Sequence, residues 1–174
     1  MDHCNIKPGS KVLDIGCGAG ELSLAIARSH PDCAVLGVDV APQLIEAARQ
    51  RAEHHANVGF ICADAAEWQP EPGAAPDLLV SRHGVMFFAD PVRSFANIRK
   101  ALKPSGRLAF ACWREPRENP WMIAPLQAVY KHVPKLPPQG PEDPGPFAFA
   151  SEERVHRILG SAGFTGIAME ACPL

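Results

Sequence analysis

The sequence predicts an α/β domain built on a doubly wound, mostly parallel sheet of about six strands with flanking helices. Three observations carry that prediction. Short apolar or β-branched runs alternate with helical patterns along the chain. A glycine-rich turn, "GCGAG" at 16–20, directly follows the first apolar run. No internal repeat or second compact region interrupts the alternation, so residues 1–174 read as a single domain, long enough to bury a core.

The first strand is expected at Lys11–Ile15, followed by a helix from Glu21 to Ser29 with Pro31 beyond its end. "AVLGVDV" (34–40) is the second strand. Pro42 then opens a helix that carries Leu44, Ile45, Ala48 and Ala52 on one face. "VGFICAD" (58–64) and "DLLVS" (77–81) are the third and fourth strands. After Asp90-Pro91, the spacing of Phe95, Ile98 and Leu102 predicts a helix that "KPSG" (103–106) ends. "RLAFACW" (107–113) is the fifth strand.

Residues 114–150 are of a different kind. They hold a short helix candidate around Trp121 to Val133 and then "PKLPPQGPEDPGP", with six prolines. That stretch is too stiff and donor-poor for a sheet and reads as a long loop or lid over one face. Ser151 is placed to cap a last helix that buries Val155, Ile158, Leu159 and Ala162, with Gly163 as its stop. "TGIAMEAC" (165–172) is the expected sixth strand.

Composition excludes several functions. A formal net charge of −2 leaves no electrostatic footprint for nucleic acid or an anionic membrane. No apolar run approaches the roughly 20 residues of a membrane span, and the N-terminus lacks a secretory h-region. The six cysteines form neither a CxxC pair nor a zinc-like cluster, which predicts a reduced, cytoplasmic protein with no metal. His54 and His55 lack a third ligand and read as a solvated helix end.

A glycine turn after a strand fits a nucleotide, because the backbone there takes positive φ and comes close to a ligand. Its surroundings narrow the choice. No Gly-Lys-Ser/Thr follows, so it is not a phosphate-cradling loop. Glu21 places a carboxylate where a pyrophosphate would approach the helix, which disfavours a dinucleotide. Aspartates at the ends of three successive strands, Asp14, Asp39 and Asp64, suit a ligand with a ribose diol, an exocyclic amine and a cation instead.

These motifs resemble the class I S-adenosyl-L-methionine (SAM)-dependent methyltransferases, and within them the type 11 and type 25 domains similar to quinone-biosynthesis methyltransferases. "VLDIGCGAGELSLAIA", "GVDVAP", "ADAAEW" and "DLLVSRHGVMFFADPVRSFANIRKALKPSGRLAFACW" carry the resemblance, which covers nearly the whole chain. It implies a Rossmann-like fold with SAM as cofactor and a small-molecule methyl acceptor, apolar or aromatic. Asp14, Gly16, Cys17, Gly18 and Gly20 would then line the methionine part. Asp39 would hold the ribose diol, Val40 would lie against adenine, and Asp64 with Ala65 would read the adenine edge. Ser81 and Arg82 would sit near the sulfonium and acceptor. His83, just past the fourth strand, is the candidate base or orienting group, with packing against substrate as the rival role. Met86, Phe87, Phe88, Trp113 and Trp121 are open between core and pocket wall.

Relatives also carry an N-terminal helical segment and a seventh, antiparallel strand. The expectation here is a chain truncated at both ends, with the seventh strand missing and an open sheet edge free to pair with a second copy. A non-catalytic SAM-binding module completed by a partner chain is the alternative function.

Overall fold

The computed structural model describes residues 4–135, 137, 140 and 142–172. Five strands, β1 (Lys11–Ile15), β2 (Ala34–Asp39), β3 (Val58–Cys62), β4 (Leu78–Arg82) and β5 (Arg107–Ala111), form one sheet in the order β3-β2-β1-β4-β5. Every neighbouring pair is parallel. The order reverses between β1 and β4, so the exit of β1 is the topological switch point, where open α/β sheets bind ligands.

Helices α1 (Glu21–Ser29), α2 (Pro42–Arg51), α3 (Pro91–Ala101), α4 (Pro120–Val129) and α5 (Glu152–Ser161) complete the elements. The two faces of β1 show how strand alternation sorts the core. Val12 packs with Ile26 and Ala27 of α1, whereas Leu13 and Ile15 join Phe95, Ile98, Val155 and Leu159 from α3 and α5. Asp90 caps α3 by accepting from the Arg93 amide at 3.0 Å, and Ser151 caps α5 by accepting from the Arg154 amide at 3.3 Å. Gly163, at φ +88, stops α5: its amide reaches the Gly160 carbonyl and that of Phe164 reaches Leu159, which satisfies the last carbonyls of the helix.

The expected sixth strand does not form. Residues 165–172 carry no ladder, Gly166 turns the chain at φ +65, and most of the segment is exposed. Among the described residues β5 is therefore an edge; Leu174 lies outside them. The expected lid is partly packed. Glu142 is held by Arg154 and Arg157 at 2.6 and 3.0 Å, the Gly145 amide donates to the Met86 carbonyl, and Ala148 and Phe149 are buried. Two prolines of that stretch, Pro138 and Pro141, lie outside the described residues. No helix among the described residues is long and apolar enough to cross a membrane.

Candidate cofactor and acceptor site

The glycine turn runs from the end of β1 to the start of α1. Gly16, Gly18 and Gly20 all take left-handed φ, at 65°, 54° and 81°. Gly16 needs the missing side chain twice over, since an added Cβ would stand 2.8 Å from the Gly84 Cα. The amides of Gly16 and Cys17 both donate to the Val38 carbonyl, at 2.9 and 3.1 Å, which ties the turn to β2. Above Gly18 nothing lies within 4 Å of an added Cβ, so the turn presents bare backbone to open space. From the C-terminal turn of α2, Arg51 holds the far side, donating to the Ala19 carbonyl at 2.8 Å and pairing with Glu21 at 2.7 Å.

The three aspartates occupy three different situations. Asp39 ends β2, and its two carboxylate oxygens accept from the Gly18 amide at 2.8 Å and the Ala41 amide at 2.9 Å. A carboxylate has about four acceptor positions, so two remain for a ligand's hydroxyls. Val40, beside it, is 65% exposed, an apolar flank for a flat ring. Asp64 stands two residues beyond β3, where one oxygen accepts from the Ala66 amide at 2.8 Å. The neighbouring Ala65 amide has no partner among the described residues.

Asp14 departs from the expected position at a strand end. It lies within β1 on the same face as Val12, so alternation turns its side chain under α1, where it is 1% exposed and accepts from the Ser23 hydroxyl at 2.7 Å. Burial pushes its pKa up to about 6, against the lowering effect of that hydrogen bond. Ser81 is likewise committed: buried at the end of β4, its hydroxyl donates to the Ile15 carbonyl at 2.7 Å and accepts from the Gly84 amide at 3.2 Å. Both side chains brace the turn from beneath. The Cys17 thiol is buried, and that burial pushes its pKa up to about 12.

On the other side of the switch point the character changes. His83 takes φ +66, uncommon for a residue with a side chain, and its amide donates to the Ala111 carbonyl at 3.0 Å. Its ring stacks on Trp113 with centroids 4.3 Å apart and planes 1° apart; Trp113 in turn meets Trp121 edge-on at 5.3 Å. The His83 Nδ1 is buried without a hydrogen-bond partner, and burial, with the Arg82 charge adding to it, holds the imidazole below its usual pKa. Arg82 is exposed at the end of β4. Met86 is core, Phe88 packs edge-on against Phe95, and Phe87 is exposed.

Sequence reasoning missed Ser23 under Asp14, Gly84 against Gly16, and the stack of His83 on Trp113. Each joins residues distant in sequence across neighbouring elements, which no local pattern encodes. Among the described residues no three His, Cys, Asp or Glu side chains gather as a metal site.

Residues 12–106 match the family model described as a methyltransferase domain. The chain belongs to that family. Its relatives include a malonyl-[acyl-carrier protein] O-methyltransferase from Paenibacillus sp. (strain JDR-2), 27% identical over 90% of this chain and 56% of its own. A trans-aconitate 2-methyltransferase from Methylobacterium radiotolerans is 37% identical over 56% of this chain and 35% of its own. This chain thus spans about half the length, or less, of these curated relatives. In fold it matches the crystal structure of a SAM-dependent methyltransferase from Aquifex aeolicus, with TM-score 0.68 and 20% identity over 93% of this chain and 76% of that one. The Rossmann-like methyltransferase fold and the family's cofactor, SAM, follow from this membership and match the expectation from the sequence.

Proposed function

We propose that this domain transfers a methyl group from SAM to a small apolar or aromatic acceptor by in-line displacement. The Asp39 carboxylate carries the reading. Two backbone amides orient it at the switch-point exit and leave acceptor positions for a ribose diol, with exposed Val40 beside it for a base. A pyrophosphate fits poorly, because Glu21 keeps a carboxylate at the start of α1 and no phosphate-binding side chain follows the glycines.

SAM supplies an electrophilic methyl group on a sulfonium. The chain's own residues supply position. Gly16, Cys17, Gly18 and Gly20 offer backbone to the methionine part, Asp39 takes the ribose, and Val40, Asp64 and the Ala65 amide frame adenine. Asp14 and Ser81 hold that turn from below, while Arg82 and His83 flank the acceptor. Orientation of this kind supplies about 7–11 kcal/mol of a displacement barrier, so a general base is needed only when the acceptor must lose a proton. The free thiols of all six cysteines support a reducing, cytoplasmic setting.

Calorimetric titration with S-adenosylhomocysteine tests the reading. Wild type is expected to bind in the micromolar range, and Asp39→Ala to lose about 1.5–3 kcal/mol, tenfold or more in affinity. A wild type that shows no binding, or an Asp39→Ala variant that binds equally well, overturns it.

A further inference from the structure

Resting on the methyltransferase reading, we propose that the acceptor is a carboxylic acid with an aromatic or apolar body. Its carboxylate is held by Arg82, and its body lies against the rings of His83, Trp113 and Trp121.

Arg82 is the cation that the strand exits leave uncommitted. The arginines of β5 and of the segment after it are engaged: Arg107 donates to the Cys4 and Asn5 carbonyls, Arg114 pairs with Glu118 and Arg117 with Glu115. The guanidinium of Arg82, at the carboxyl end of β4, has no hydrogen bond or ion pair among the described residues. β4 lies beside β1 in the sheet, so the strand exit that carries Arg82 adjoins the glycine turn, and its charge acts to lower the pKa of Glu21 and, against the larger effect of burial, that of Asp14. Neither carboxylate is free to answer it. Glu21 is taken by Arg51 at 2.7 Å, and Asp14 is buried beneath α1 with its hydrogen bond to Ser23. Asp39 is turned to the amides of Gly18 and Ala41.

The donor bound beside this guanidinium brings a second positive centre, its sulfonium. An amine acceptor, cationic until it gives up a proton, would enter in that form against two like charges. A carboxylate is opposite to both and offers the oxygen pair that a guanidinium fork binds best. The remaining wall is uncharged and flat. The His83 imidazole is held toward its neutral form, lies parallel on Trp113, and leads to Trp121, which is 57% exposed. Rings of this kind take up a planar or aliphatic body.

The chemistry closes without a base. One carboxylate oxygen forms the new bond to the methyl carbon, the carbon–sulfur bond breaks, and its electron pair stays on sulfur. No proton moves. A negative carboxylate and a positive sulfonium become a neutral ester and a neutral thioether. The ester no longer pairs with Arg82, which favours its release.

Calorimetry on the protein saturated with S-adenosylhomocysteine tests the proposal, with phenylacetate, cinnamate and octanoate each matched to its amide and its methyl ester. At least one acid is expected to bind about tenfold more tightly than its amide and ester, and Arg82→Gln to erase that difference. The same variant is expected to bind S-adenosylhomocysteine within about threefold of wild type. Three results overturn the proposal: no acid that outbinds its amide, a preference that survives in Arg82→Gln, or a tenfold loss of S-adenosylhomocysteine affinity in that variant. The last would assign the guanidinium to the cofactor's own carboxylate. Failure of wild type to bind S-adenosylhomocysteine is a different result: it overturns the cofactor reading, and this inference with it.

Discussion

The strand exits on the two sides of the switch point are satisfied in opposite ways. At β1 and β2 the polar groups are spoken for by short internal bonds. Asp14 has Ser23, Asp39 has the Gly18 and Ala41 amides, and the turn amides have the Val38 carbonyl. At β4 and β5, beyond the bonded Ser81 hydroxyl, groups are left over: an exposed Arg82, a His83 nitrogen without a partner, and an α4 with no buried residue. A site that must recognise one fixed ligand gains from groups oriented before it arrives. Unsatisfied groups and bare aromatic faces leave the second half's chemistry to be completed by its ligand.

The first half should break most severely. Gly16→Ala sets a Cβ 2.8 Å from the Gly84 backbone at φ +65. Left-handed strain of about 1–2 kcal/mol and overpacking of about 1–3 kcal/mol add to a loss of roughly 2–5 kcal/mol in denaturant unfolding. Gly18→Ala is the sharper companion. Its φ is +54, yet nothing lies within 4 Å of the new Cβ, so only the strain of about 1–2 kcal/mol applies to folding. Its main effect should fall on S-adenosylhomocysteine binding. Equal destabilisation by the two substitutions would mean that the close β1–β4 approach does not fix the turn.

Asp14 comes next in size. Its folded pKa of about 6 stands above the ordinary value of 3.8, so the folded state binds the extra proton between those values. Stability from this group is therefore greatest at low pH and falls as pH rises through about 6. Asp14→Asn keeps an acceptor for the Ser23 hydroxyl and removes the buried charge. The variant is expected to be more stable than wild type at pH 8, by up to roughly 3 kcal/mol, and to match it at pH 4. Urea midpoints at the two pH values decide, and a difference that does not change with pH would remove the buried-charge account.

What the sequence disclosed follows the same division. The bounds of β1, α1 and the start of α2 were legible because glycines, Pro42 and apolar alternation act locally. The Asp39 position was legible for the same reason. Strand ends were less so: β3 stops at Cys62 rather than Asp64, and β5 at Ala111 rather than Trp113. The sixth strand failed because a ladder needs a neighbour, and an apolar run such as "TGIAMEAC" does not specify one. Asp14 was read as a ligand group from its place in a motif. Counting the alternation from Val12 would have turned it under α1. The stack of His83 on Trp113 had no sequence signal, since thirty residues separate its partners.

The smallest expected effect probes that stack. His83 holds a buried Nδ1 with no partner, which costs about 1–3 kcal/mol, and its φ of +66 is carried by any side chain placed there. Phenylalanine offers the same flat ring to Trp113 without the nitrogen. His83→Phe is therefore expected to raise stability by about 1 kcal/mol at pH 8. The gap should widen below pH 6.5, because the folded state holds the imidazole below that ordinary value, so wild type loses stability as the unfolded chain takes up a proton first. This is the reverse of the Asp14 dependence, where wild type gains as pH falls. A His83→Phe variant less stable than wild type at both pH values would show that the nitrogen is satisfied after all. The contrast between internally bonded exits at β1 and β2 and unfinished ones at β4 and β5 would then lose its strongest residue.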